Sequence, residues 1–318
     1  MRQARAAYVL PIRSASLAGL DELTAYLRAL RGVQLIIVDG SPSAIFDEHA
    51  RRWGGFATHV PLDPLIPGLN GKGRGVLTGL RLAAYDKLIV ADDDIRYDAA
   101  SLDEVIRALD DYAVVRPQNY FSPQAWHTVL DEARSLINRV SGGDWPGTLG
   151  VRRHALADGY NADVLFENYE LVRYIVAAGG RELVADDCFV PRRPPSTRHF
   201  WSQRVRQAYD EFARPPRMLA ALALLPAIGA AVALGRGRIV LAGALVAIAV
   251  AEAGRRKHGA RRYFPVAASF AAPLWLAERA VCAWLALYAR LRHGGVRYAG
   301  RTIRDAASVK PSRVRLPA

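Results

Sequence analysis

Along the first two hundred residues, short apolar runs alternate with stretches in which apolar residues return every three or four positions. Between residues 6 and 200 this pattern predicts strand 7–12, helix 17–31, strand 33–38, helix 43–53, helix 73–85, strand 87–91, helix 101–110 and strand 112–116. Leu88, Ile89 and Val90 show no polar alternation, as in a strand buried on both faces of a parallel sheet. Strands alternating with helices predict an α/β fold with helices on both faces of the sheet. The sequence shows no internal repeat and no low-complexity tract.

The pattern changes after "PRRPPSTRHFWSQRVRQAYDEFARPPR". "MLAALALLPAIGAAVALG" (218–235) carries no charge over a length that nearly spans a hydrocarbon core of about 30 Å, and "IVLAGALVAIAVA" (239–251) follows a short "RGR" turn. Alanine-rich runs with no polar face predict a membrane hairpin rather than a buried soluble pair. Arg204, Arg206, Arg214 and Arg217 precede it, and Arg255, Arg256, Lys257, Arg261 and Arg262 follow it. Positive flanks on both sides predict that both ends are cytoplasmic. A third run, "YFPVAASFAAPLWLAERAVCAWLALYARLR", is interrupted by Glu278 and Arg279, which favours a helix at the cytoplasmic surface, with a third span as the alternative. The implied organisation is a catalytic domain over 1–212, a transmembrane hairpin over 213–253, a basic linker and interfacial or third membrane helix over 254–293, and a basic cytoplasmic tail over 294–318.

Charge strengthens that picture. The chain has 43 Lys and Arg against 30 Asp and Glu, a formal net charge of +13, with the excess from about residue 190 onward. A basic balance suits nucleic acid or an anionic membrane, and the apolar neighbours select the membrane. Two cysteines without paired spacing, Cys188 and Cys282, make neither a disulfide framework nor a zinc site. That favours a reducing compartment. The apolar patch in "MRQARAAYVLPIRS" is too short for a signal-peptide core and reads as the first strand, so the domain after it is expected in the cytoplasm.

Candidate chemistry collects at predicted strand ends. Asp92, Asp93 and Asp94 follow the strand 87–91 directly, and neighbouring carboxylates call for a cation or a hydrogen-bonding loop. The carboxyl edge of an open α/β sheet is where ligands bind. Asp39 ends the second strand, where it can accept from a nucleobase or simply form a turn before Gly40. "GKGRG" (71–75) supplies backbone flexibility and the cation of Lys72, yet it is not a P-loop. Ile66 stands at the first glycine position and Gly73 at the magnesium-binding hydroxyl position.

Together "IIVDGS" (36–41), "NGKGRGVLTGLRLA" (70–83) and "VADDDI" (90–95) resemble, in order and spacing, the nucleotide-sugar domain of family 2 glycosyltransferases, the GT-A fold, over roughly residues 6–210. With "GTLGVRRHAL" (147–156), "FENYELVRYIVAAGG" (166–180) and "QRVRQ" (203–207), the chain looks most like the membrane-attached branch containing ceramide and hopanoid glucosyltransferases. The resemblance implies a Rossmann-like mixed sheet followed by membrane helices. It implies that Asp92 and Asp94 hold a divalent metal, Mg2+ or Mn2+, and that Asp39, Lys72, Asp92 and Arg204 contact a nucleotide-diphosphate sugar, with UDP-sugars favoured. Gln203 and Arg206 match the Q-x-x-R part of the family motif, while Gln207 replaces its tryptophan. The family's acceptor-activating Glu-Asp pair is here Glu167-Asn168, and an amide cannot take a proton. Glu167 is therefore the candidate base, with Glu170 and Asp144 in reserve.

The resulting expectation is a metal-dependent, inverting glycosyltransferase, multi-pass in the cell's inner membrane with its catalytic domain cytoplasmic. It transfers sugar to a lipid or lipid-linked acceptor and has no nucleic-acid partner. Asn168 and Gln207 support an alternative, a non-catalytic nucleotide-sugar-binding membrane protein that serves another enzyme. A nucleotidyltransferase would share the carboxylates but release pyrophosphate.

Overall fold

The computed structural model describes residues 5–311. The elements run β1 (Ala6–Ile12), α1 (Leu20–Ala29), β2 (Val33–Asp39), α2 (Ser43–Trp53), β3 (Thr58–Pro61), α3 (Gly71–Leu82), β4 (Lys87–Ala91), α4 (Ala99–Ala108), β5 (Val114–Phe121), α5 (Val129–Val140), β6 (Thr148–Arg152), α6 (Glu167–Ala177) and β7 (Glu182–Arg192). Then come α7 (Thr197–Ser202), α8 (Arg204–Tyr209), α9 (Pro215–Ala233), α10 (Gly237–Arg256), α11 (Val266–Phe270), α12 (Ala272–His293), β8 (Val296–Tyr298) and β9 (Arg301–Ile303).

The main sheet has seven strands in the order β3-β2-β1-β4-β6-β5-β7. β1 pairs in parallel with β2 and β4, β2 with β3, while β6 is antiparallel to β4 and β5. The sheet is therefore mixed, as the resemblance implies. Its core is built from fully buried strand residues such as Tyr8, Leu10, Ile37 and Ile89, covered by Leu23 and Leu27 of α1 and by Leu102, Val105 and Ile106 of α4. Strand order reverses direction between β1 and β4, and in open α/β sheets ligands bind beyond the carboxyl ends of the strands at such a switch point.

Helix α3 explains the glycines of "GKGRGVLTG". A Cβ at Gly79 would lie 2.3 Å from Val9 Cγ1 and one at Gly75 would lie 2.7 Å from Pro11 Cβ, so these positions let α3 press onto β1. Asn70 caps the helix. Its side-chain oxygen accepts from the amides of Lys72 and Gly73, and its Nδ2 donates to the carbonyls of Val164 and Leu165.

The chain divides into two compact units that do not follow the sequence boundary at 212. The first comprises 1–117, 146–190 and 308–318, and the second comprises 118–145 and 191–307. In the second unit α5 belongs with the C-terminal helices because it packs directly on α10. The backbone leaves no room for a Cβ at Gly254, where one would lie 2.0 Å from the Leu136 carbonyl oxygen, and Arg139 donates to the carbonyls of Gly254 and Lys257.

Helices α9 and α10 are long and apolar enough to cross a membrane, and only 6% and 17% of their apolar windows are buried. A buried soluble pair would hide those surfaces; here Leu219, Val232, Leu241, Leu245 and Val246 face outward. The charges that interrupt the third run prove to be internal. Glu278 on α12 receives Arg204 of α8, while Trp284 Nε1 donates to the Leu222 carbonyl of α9 at 3.1 Å. Of the predicted basic tail, Arg313 and Arg315 lie outside the described residues.

Candidate active site

At the carboxyl edge of the first unit, β4 ends at Ala91 and the chain turns through Asp92, Asp93 and Asp94. The Asp92 amide donates to the Gly147 carbonyl at 2.8 Å, which fixes the turn against the start of β6. Lys72, in the first turn of α3, reaches the same place. Its Nζ lies 2.6 Å from Asp92 Oδ1 and 2.7 Å from Glu167 Oε1. One ammonium thus joins the first carboxylate of the D-x-D to the first residue of α6. Burial would favour loss of its proton, but Asp92 and Glu167 outweigh that and hold Lys72 firmly charged.

Three sequence-predicted residues, Lys72, Asp92 and Glu167, therefore meet. The amides of Lys72 and Gly73 are committed to Asn70, so what "GKGRG" offers an anion is the ammonium rather than a backbone cradle. Tyr160, missed in the sequence, is fully buried beside them. Burial and the nearby Glu167 and Glu170 keep its hydroxyl protonated.

The fit to a divalent cation is tested by Asp92 and Gly147. A Cβ at Gly147 would sit 2.7 Å from Asp92 Oδ2, so the glycine lets the carboxylate oxygen not held by Lys72 lie close against the backbone. Two aspartates, Asp92 and Asp94, on one short turn form a hard-oxygen donor set of the kind magnesium or manganese takes. The residues fit the ion.

Asp39 is placed differently from the sequence expectation. Its Oδ2 takes His49 Nδ1 at 2.7 Å and His59 Nε2 at 3.1 Å, and its Oδ1 accepts from the Ser41 amide at 2.8 Å. Its side chain has no exposed surface, so the carboxylate serves the chain rather than presenting itself to a base. Burial raises its pKa, but the bonds from His59, Ser41 and His49 outweigh this and hold it at about 2. The donor atoms of this trio lie within 4.8 Å of one another. His49 and His59 come from α2 and β3, and nothing in their sequence spacing signals the convergence.

The reserve bases are also engaged. Glu170 is fully buried and accepts the Ser308 amide at 3.0 Å. Asp144, in the second unit, takes Ser135 Oγ, Asn138 Nδ2 and Arg134. Asn168 donates its side-chain amide to the Pro146 carbonyl at 2.9 Å. A carboxylate there would face a carbonyl oxygen, so the amide has a structural reason.

Arg204, Gln203 and Arg206 belong to the second unit. Arg204 is the largest departure from expectation: it is 2% exposed, with Asp131 and Glu278 each 2.6 Å from its guanidinium, so its charge is used internally instead of on a donor. Arg206 Nε donates to Gln203 Oε1 at 2.6 Å, and its guanidinium lies over the Tyr298 ring.

No protein-family model matches the chain, and no curated protein matches it. Among solved structures it is similar to the mannosyltransferase PcManGT of Pyrobaculum calidifontis, solved with GDP-mannose and Mn2+. The TM-score is 0.58 at 18% identity, over 89% of this chain and 88% of that one. Glucosyl-3-phosphoglycerate synthase of Mycobacterium tuberculosis aligns at a TM-score of 0.42 and 14% identity, over 61% of this chain and 73% of that one. The first likeness shows the fold: this chain has the mixed α/β architecture of a GT-A-type glycosyltransferase.

Proposed function

We propose that the protein is a membrane-attached, inverting glycosyltransferase that moves a sugar from a nucleotide-diphosphate donor to the hydroxyl of a lipid or lipid-linked acceptor. The observation that carries this reading is the Lys72 ammonium joining Asp92 to Glu167 at the ligand edge of the sheet. Asp92 and Asp94 would hold Mg2+ or Mn2+, which when bound neutralises charge on the leaving diphosphate. The fold likeness to a protein solved with GDP-mannose and Mn2+ supports the same assignment.

Glu167 accepts the proton of the acceptor hydroxyl as that oxygen bonds to the sugar's anomeric carbon and the nucleoside diphosphate departs. One base and one in-line displacement invert the centre. An arriving diphosphate competes for Lys72, which frees Glu167 Oε1 to meet the acceptor hydroxyl. Asp39 and Arg204 position the chain in this reading. The roles of Gln203 and Arg206 toward diphosphate and acceptor rest on their motif. The two outward-facing apolar helices support membrane attachment, and the family resemblance supports a cytoplasmic site, a UDP-sugar and the ceramide and hopanoid branch.

The test is incubation of the purified protein with donor sugars, Mn2+ and a lipid extract, with Asp94→Asn as control. Release of nucleoside diphosphate that Asp94→Asn abolishes is the expected outcome. The commitment of Asn168 to Pro146 favours a second reading, a donor-binding protein without catalysis, which would retain the nucleotide sugar and release nothing.

A further inference from the structure

Beyond Ala307 the chain belongs to the first unit, and there Ser308 has each of its polar groups taken by a different side chain. Its amide donates to Glu170 Oε2 at 3.0 Å, its hydroxyl accepts from Asn161 Nδ2 at 2.9 Å, and its carbonyl accepts from Arg173 Nη1 at 2.8 Å. The second arm of the Arg173 guanidinium reaches the Val309 carbonyl at 3.3 Å. Val309 itself is 98% exposed, so hydrogen bonds rather than apolar burial hold the segment. Main chain and one hydroxyl are recognised, as in a bound peptide.

The three receiving side chains lie on the two elements that present the Lys72–Glu167 contact. Glu170 and Arg173 follow Glu167 on α6 by about one and two turns. Asn161 opens the segment that seats the start of α3, its side-chain oxygen accepting from the Asp163 amide at 2.9 Å. From there the Ala162 carbonyl accepts from the Asn70 amide at 2.8 Å, the Val164 and Leu165 carbonyls accept from the Asn70 side chain, and Asp163 Oδ1 accepts from the Leu69 amide at 3.0 Å. Lys72 stands two residues beyond Asn70. Ser308 therefore fastens both elements at once, and the 2.7 Å ion pair between Lys72 and Glu167 bridges them. Glu170 shows why the contact matters. It is fully buried, its Oε1 has no hydrogen-bond donor among the described residues, and its Oε2 faces the Ser308 amide, with Arg173 3.6 Å away. Loss of that amide leaves a buried carboxylate poorly satisfied one turn from Glu167, a state relieved by moving the helix or admitting water.

We propose that Ser308 is a positioning residue: the C-terminal segment is a built-in peptide ligand of Asn161, Glu170 and Arg173 that sets the geometry of the Lys72–Glu167 contact. The effect on transfer rests on the glycosyltransferase reading above. The fastening of residues 159–171 does not, and it is measured without donor sugar, so failure of this contact and failure of glycosyl transfer are separable.

The experiment compares the full-length protein in a neutral detergent with a chain ending at Ala307 and with Ser308→Pro, which lacks the amide hydrogen that Glu170 receives. Hydrogen exchange at residues 159–171 should rise about tenfold or more in both. A synthetic peptide of residues 307–318, at a concentration on the order of millimolar to match its tethered state, should restore protection to the shortened chain, and the same peptide carrying Ser308→Pro should not. The transfer rate should fall about tenfold or more, a larger factor than the loss of donor affinity, and recover with the peptide. If the shortened chain does not fold, Ser308→Ala, which removes only the hydroxyl, should raise exchange about threefold. Unchanged exchange at residues 159–171 would overturn the fastening. Raised exchange with an unchanged transfer rate, or a slowed enzyme that the peptide does not rescue, would overturn the positioning role and leave a structural tether. A wild type that transfers no sugar would sink the glycosyltransferase reading, and exchange alone would then decide the contact.

Discussion

Two cations in this molecule each join two carboxylates at nearly the same distances, and their surroundings give them opposite uses. Lys72 lies 2.6 and 2.7 Å from Asp92 and Glu167, with side-chain exposures of 16%, 22% and 10% for the three residues. Arg204 lies 2.6 Å from both Asp131 and Glu278, with exposures of 2%, 7% and 13%. The first cation is a flexible point charge that solvent or a ligand can reach. The second is a planar fork that also donates to Gln207 and meets Glu278 through two parallel bonds at 3.0 and 2.6 Å. Exposure and shape, rather than charge count, separate a replaceable contact from a fixed strut.

The comparison is broken most forcefully at the strut. Arg204→Leu strands Asp131 and Glu278 in the interior, and loss of one partner of a buried pair typically costs about 3–5 kcal/mol. Denaturant unfolding of the purified variant should show a loss of that order, or the variant should fail to accumulate. Asp131 is held at about 2 by Arg134 and Arg204 against the opposing pull of burial, so removing Arg204 lets burial push the stranded carboxyl up. A variant as stable as the wild type would show that Arg204 is free for another role.

At the reachable cluster the large effect is on rate. Glu167→Gln keeps the shape and a hydrogen-bonding oxygen for Lys72 but removes the proton acceptor. Transfer should fall about 10²- to 10⁴-fold with donor affinity nearly unchanged. Single-turnover rates beside donor-binding titrations separate the two. A normal rate in this variant would move the base elsewhere.

The same contrast governs what the sequence made legible. The strands, the acidic turn after β4 and the apolar hairpin are local patterns, and Asp92 is conspicuous because three apolar residues run straight into three acids. Lys72 and Glu167 are recognisable one at a time by motif, but their union is not, since they lie far apart in the chain and only the sheet brings them together. Convergence of His49 and His59 on Asp39 has the same origin, and it removes the carboxylate that the motif offers to a base. Arg204 misled for the converse reason. In sequence it is one of many arginines before an apolar run, and only the packing of α12 reveals that Glu278, a charge seemingly misplaced among apolar residues, is its partner.

A smaller effect sharpens the picture of the second unit. Glu132 is 1% exposed and is pushed up to about 7 by burial, despite bonds from Gln124 and the Phe121 amide. Its folded pKa lies above the unfolded value, so the native state holds the proton more tightly and stability falls as pH rises from about 4.5 to 7. Glu132→Gln removes that penalty and keeps an oxygen for Gln124. The variant should be more stable than the wild type by about 2–3 kcal/mol at pH 8 and indistinguishable at pH 4. Parallel denaturant curves at the two pH values check the sign, and a constant difference would assign the effect to packing.

The smallest effect bears most directly on whether the Lys72 cation is replaceable. Lys72→Met leaves Asp92 and Glu167 without their shared ammonium, but partial exposure lets water and salt screen them, so the cost in stability should be about 1 kcal/mol. A divalent ion can then compensate what the ammonium did, because Asp92 Oδ1 no longer meets the Lys72 ammonium. Millimolar Mn2+ should therefore raise the melting temperature of Lys72→Met by a few degrees more than that of the wild type, where ion and ammonium compete for the same carboxylate. The same addition should do nothing for Arg204→Leu, whose stranded acids lie out of reach of solvent ions. Equal responses in wild type and Lys72→Met would mean that ammonium and metal do not share Asp92, and the cluster would then be a second strut rather than a site.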